Sequence, residues 1–161
     1  MRDWHRWWRG LGSFIMIVGM LGGCSEGTQD TGANVRDVCL LIGEREPNAT
    51  ALTAQFLDDV FAAECFIVTG RIVDPLDVDS YRILIHESLT LAVTLDHSPL
   101  VDFDLQLFDA ETGQLIRDCG LNVVPEVCAV SFVVRARALL VDVVVTSFLG
   151  AGSYTLTLDT H

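Results

Sequence analysis

Residues 79–109 read DSYRILIHESLTLAVTLDHSPLVDFDLQLFD, three apolar and polar alternations separated by short polar breaks. Tyr81, Ile83 and Ile85 alternate with Arg82 and His86. Leu89, Leu91, Val93 and Leu95 share one face of the next run. Val101, Phe103, Leu105 and Leu107 alternate with Asp102, Asp104 and Gln106. Successive side chains of a strand point to opposite sides, so a period of two marks strands with one face buried and one face wet. Further along, Val141, Val143 and Val145 alternate with Asp142 and Thr146, and Tyr154, Leu156 and Leu158 with Thr155, Thr157 and Asp159. Turn formers fill the breaks: Asp96-His97-Ser98-Pro99, Glu111-Thr112-Gly113 and Gly150-Ala151-Gly152. Strands of this length and spacing predict an all-β chain folded as an antiparallel, jelly-roll-like β-sandwich. Before this stretch, residues 65–73 predict another strand. Residues 57–63 suit a short helical turn or a loop, and residues 38–42 suit a strand or a helix.

The composition limits what such a sandwich can do. The chain has 161 residues, of which 50% are hydrophobic and 20% charged, which suits one ordered domain and excludes a disordered chain. It carries 22 acids against 10 arginines and no lysine, a net charge of −12. A surface this acidic repels nucleic acid and anionic headgroups, whose electrostatic binding needs the opposite sign.

The N-terminus supplies an address. Arg2, Arg6 and Arg9 precede an apolar run over residues 11–21, followed by Leu21-Gly22-Gly23-Cys24. This is the layout of a secretory signal, and the run falls short of the roughly 20 apolar residues that span a bilayer. The Leu-Gly-Gly-Cys tetrad resembles the lipobox of bacterial lipoproteins. That resemblance implies a signal peptide over residues 1–23, cut before a lipid-modified Cys24. Several acyl chains on one residue anchor stably, at about 0.8 kcal/mol per buried CH₂. Ser25, where an aspartate would favour retention in the inner membrane, implies the outer membrane. Residues 24–36 then form the acylated cysteine and a small, polar tether, and residues 37–161 the domain. Loss of Arg2, Arg6, Arg9 and Asp3 leaves seven arginines against 21 acids, a net of −14, and removes all three tryptophans.

Four cysteines remain, an even number in an exported chain, so disulfides are expected. Three pairings are possible. The one favoured joins Cys119 to Cys128 across the short loop CGLNVVPEVC and Cys39 to Cys65 near the start of a strong strand. Zinc–thiolate binding would need paired close spacings such as C-x₂-C, which the sequence lacks.

No catalytic constellation is read here, and the chain is expected not to be an enzyme. His97 lies between Asp96 and Ser98, but adjacent side chains cannot converge as a triad requires. His86, His97 and His161 are expected to be solvated. Without tryptophan, and with Tyr81 and Tyr154 both inward in phase, the surface lacks the aromatic platforms typical of sugar binding.

Two oxygen-rich segments stand out. Glu44-x-Glu46-x-Asn48 offers three oxygen donors at alternate positions, and Asp74-x-x-Asp77-x-Asp79 offers three more before a strand. Hard divalent cations take six to eight such oxygens. From about residue 44 to residue 159 the chain resembles the bacterial pre-peptidase C-terminal domain, a β-sandwich related to the collagen-binding modules of secreted bacterial collagenases. The resemblance rests on Glu44-Arg45-Glu46-Pro47-Asn48 with Thr53-Ala54, and on Gly70. It continues through Asp77-Val78-Asp79-Ser80-Tyr81-Arg82, then residues 102–109 with the Gly113 turn, and ends in Gly152-Ser153-Tyr154-Thr155-Leu156-Thr157-Leu158. Two places depart from the family pattern: Ala136-Arg137-Ala138-Leu139-Leu140 replaces a Gly-x-Tyr strand start, and Ala49 stands where another oxygen ligand is usual. The resemblance implies a calcium ion held by Glu44, Glu46, Asn48, Asp74 and Asp77, with Asp79 capping the strand start or supporting the site. Taken with the lipobox and the lack of a catalytic constellation, the reading is a non-catalytic, lipid-anchored envelope module that binds a protein partner or an extracellular-matrix-like ligand. The other reading is an accessory lipoprotein that docks another envelope protein.

Overall fold

The structure, a computed structural model, describes residues 38–120 and 124–161. The signal segment, Cys24 and the tether lie outside the described residues. Ten strands follow one another: β1 (Leu40–Gly43), β2 (Gln55–Val60), β3 (Cys65–Ile72), β4 (Val78–Ile85), β5 (Leu89–His97), β6 (Asp102–Asp109), β7 (Leu115–Asp118), β8 (Glu126–Phe132), β9 (Leu139–Leu149) and β10 (Gly152–Thr160). They form two five-stranded sheets, in the orders β1-β3-β10-β5-β8 and β2-β4-β9-β6-β7. The alternating residues close the space between the sheets. Tyr81, Ile83, Ile85, Leu91, Leu95, Phe103, Leu105, Leu107, Leu156 and Leu158 are fully or almost fully buried. Each such side chain contributes about 1.5–3 kcal/mol of burial.

Antiparallel pairing runs through the centre of both sheets, while the two N-terminal strands add parallel edges: β1 lies along β3 and β2 along β4. Residues 57–63 do not form the helical turn considered for them. Most of that segment belongs to β2, whose backbone pairs with β4 and whose Val60 enters the core. Its bonds come from a strand more than twenty residues away, so no local pattern announced them. Between β6 and β7, Asp109 Oδ1 accepts the amides of Glu111 and Thr112 at 3.0 and 2.8 Å, and Gly113 turns the chain at a φ of 70°. These amide bonds, and the Arg137 charge, hold the Asp109 carboxyl below its ordinary range.

The cysteines form Cys39–Cys65, which ties the chain before β1 to β3, and Cys119–Cys128, which joins the end of β7 to β8 in the opposite sheet. Their Cα separations are 4.5 and 5.6 Å. His97 departs from the solvated reading. It follows the inward phase of β5, is buried, and packs its ring 5.1 Å from Phe103. His86 stacks on Phe61 at 5.1 Å and lies 3.3 Å from Asp59.

Candidate cation site

The segment that follows β1 is laid against two strands. Glu44 N–H donates to the Thr69 carbonyl at 3.0 Å, continuing the β1–β3 pairing by one residue. Ser80 N–H donates to the Asn48 carbonyl at 3.1 Å, which pins the other end of the segment to β4. Glu46 Oε2 accepts the Asn48 amide at 2.8 Å, so Glu44, Glu46 and Asn48 are held on one side of an extended turn. Glu44 Oε2 accepts Arg71 N–H at 2.6 Å.

Asp79 of β4 completes the group. It is in phase with Tyr81, Ile83 and Ile85 and is fully buried at the edge of the core. One oxygen from each of Glu44, Glu46 and Asp79 lies within 4.8 Å of the others. Asp79 Oδ2 accepts the Tyr154 hydroxyl at 2.6 Å. Tyr154 is 2.5 Å from the Tyr81 hydroxyl, and with its own proton committed to Asp79 it takes its bond from Tyr81. Burial pushes both tyrosine hydroxyls far up, so each remains a donor. Gly70 makes room for this pair, because a Cβ there would collide with the Tyr154 ring and hydroxyl and with the Tyr81 hydroxyl.

Two oxygens in this group have no donor. Asp79 Oδ1 and Asn48 Oδ1 are buried without a hydrogen-bond partner, although buried polar atoms are almost always paired. The Asn48 amide nitrogen lies 3.4 Å from Glu44 Oε1. Burial, the adjacent Glu44 carboxylate and the charge of Asp77 raise the Asp79 carboxyl to about 8 against the lowering effect of Tyr154. Buried Asp79 and Asn48 with two unpaired oxygens, half-buried Glu44 and exposed Glu46, with no sulfur or imidazole donor, fit a hard cation.

The structure brings Glu44, Glu46 and Asn48 together, and it places Asp74 and Asp77 in the neighbouring turn, outside the group of carboxylate oxygens that meet. Asp74, through one oxygen, and Asp77, through both, accept amides of their own turn. Asp74 Oδ1 accepts Leu76 N–H at 2.8 Å, while Asp77 accepts Val73 N–H at 2.7 Å and its neighbour Val78 N–H at 3.0 Å. Asp79, expected as a cap or support, supplies the carboxylate that meets Glu44 and Glu46. A second acidic group, Asp102, Asp104 and Glu126, was not anticipated. There Glu126 is fully buried and accepts Leu105 N–H at 3.0 Å, and burial beside Asp102 and Asp118 raises the Asp104 carboxyl.

The fold is that of known sandwiches. The pre-peptidase C-terminal domain of collagenase from Bacillus anthracis superposes with a TM-score of 0.51 at 11% identity, over 67% of this chain and 94% of that one. Two periplasmic inhibitors of g-type lysozyme are also similar: PliG of Aeromonas hydrophila (TM-score 0.48, 12% identity, 67% and 97% covered) and PliG of Salmonella Typhimurium (0.46, 11%, 67% and 100%). No family profile and no curated protein matches the sequence.

Proposed function

We propose that this chain is a lipid-anchored, non-catalytic interaction module of the bacterial cell envelope, stabilised by calcium held by Glu44, Glu46, Asn48 and Asp79. The unpaired, fully buried oxygens of Asn48 and Asp79 beside two further carboxylates carry the cation reading. Without a cation, three carboxylates crowd together, and Asp79 must keep a proton at neutral pH. A bound calcium ion would supply the missing positive charge and the partner that both oxygens lack. Calcium suits this donor set better than zinc or copper, which favour nitrogen and sulfur.

The non-catalytic part rests on the described histidines. Nδ1 of His97 sits 3.0 Å from the Ser98 carbonyl, His86 stacks on Phe61, and His161 lies 3.6 Å from Asp159, contacts that suit structural roles. The anchor rests on the sequence alone, through the signal layout and the Leu21-Gly22-Gly23-Cys24 tetrad. The acidic surface favours a protein or matrix-like partner over nucleic acid.

Two measurements test this. Calorimetric titration of the unit Asn34–His161 with calcium should give a one-site isotherm in the range of extracellular sites, Kd about 10⁻⁴–10⁻³ M. The isotherm should vanish in Glu46→Ala; no heat in the wild type would overturn the cation reading. For the anchor, cell fractionation should find the full chain with the membrane and Cys24→Ala in the soluble fraction. An unchanged distribution would overturn it.

A further inference from the structure

An unpaired sheet edge exposes a row of backbone donors and acceptors, and stable folds blunt such edges. Three of the four edges here are blunted. β1 is four residues long. β2 is bulged between Phe56 and Asp58 and carries Asp58 and Asp59. β7 is four residues long and carries Arg117 and Asp118. The fourth edge, β8, differs in each respect. It runs seven residues, pairs with β5 without a register shift, and among the described residues no strand covers its other side. Its solvent face is Val127, Ala129 and Ser131, with no charge, and Val127 is 57% exposed. The one acid on the strand, Glu126, turns inward to the Leu105 amide.

We propose that β8 pairs antiparallel with β8 of a second copy, about a two-fold axis at Ala129, making one continuous ten-stranded sheet. Self-pairing about Ala129 sets Ala129 opposite itself and Val127 opposite Ser131, so no like charges meet across the strands. Charge at the two ends of the strand favours the same direction. The acidic group Asp102, Asp104 and Glu126 lies at the start of β8, and the exposed Arg135 lies just beyond its end. Antiparallel pairing brings each Arg135 toward the acidic end of the other copy. That contact also explains how two bodies of strong negative charge could approach, since the uncharged edge is where repulsion is least. The proposal uses neither the cation site nor the anchor.

The test is sedimentation equilibrium of the unit Asn34–His161, which holds the whole described core. The wild type should approach twice the monomer mass as concentration rises. Ala129→Lys and Val127→Lys each place a charge on the solvent face, leave the monomer's circular dichroism unchanged, and should weaken association by about tenfold or more. Arg135→Glu should weaken it as well. A wild type that stays monomeric at every concentration would overturn the proposal. So would a dimer indifferent to both lysines, which would pair through another face.

Discussion

Asp79 and His97 are polar residues that follow the phase of the core. Period two places Asp79 on the same face as Tyr81, Ile83 and Ile85, and places His97 on the same face as Leu89 to Leu95; both are buried. The alternation that marks the core therefore also marks these polar residues as interior, which is the signal that a reading of Asp79 as a cap and His97 as solvated passes over. Glu44, Glu46 and Asn48 were legible because alternate spacing puts them on one side of an extended segment. Asp74 and Asp77 have the same residue type but sit in a turn whose amides take their oxygens. Two substitutions probe this layer. Gly70→Ala should destabilise by about 1–3 kcal/mol, because a methyl must displace the Tyr154–Tyr81 pair. Tyr154→Phe should cost about 1–3 kcal/mol, since it removes the donor to a buried carboxylate. Both are read by chemical denaturation. The pH dependence has a definite sign. The folded Asp79 carboxyl stands at about 8 against 3.8 in the unfolded chain, so the folded state holds the proton more tightly. In chelator, the Asp79 contribution to stability should be fully present below about pH 4, fall as pH rises toward 8 and level off above it, and should be absent from the difference between the wild type and Asp79→Asn only if Asp79 does not titrate.

At the scale of elements, strands with a strict alternation were readable and strands defined by distant pairing were not. β4, β5, β6, β9 and β10 each carry the period-two pattern, and their buried faces match it. β2 and β7 have no alternating apolar face of their own: β2 buries only Val60 and β7 is exposed throughout. What makes them strands is the backbone of β4 and β6, which no local window contains. The disulfides act at this scale. Chain-entropy arithmetic gives about 2.7 kcal/mol for the shorter loop, Cys119–Cys128, and about 3.5 kcal/mol for Cys39–Cys65. The double replacement Cys39→Ser with Cys65→Ser should therefore lower stability more than Cys119→Ser with Cys128→Ser. Loss of the first also releases the chain that leads into β1. Denaturant midpoints of the two variants against the wild type read the order directly.

For the whole molecule, the governing fact is a strong excess of acid on a small sandwich, with 22 acids against 10 arginines. Part of that excess converges at the joint between β1, β3 and β4, where the proposed cation would convert repulsion into a link between the two sheets. Binding to the native state alone adds RT ln(1 + [L]/Kd), about 2.7 kcal/mol at a hundredfold excess over Kd. For a domain of this size that is a rise of roughly 5–10 °C in Tm. The most direct measurement is a pair of melting curves of the unit Asn34–His161, in chelator and in millimolar calcium, for the wild type, Asp77→Ala and Asp79→Asn. The wild type and Asp77→Ala should both rise in calcium. Asp79→Asn, which keeps a partner for Tyr154 but removes a charge, should melt at least as high as the wild type in chelator and not respond to calcium. A wild-type Tm unmoved by calcium, or a full response retained in Asp79→Asn, would contradict the assignment of Asp79 to a cation site.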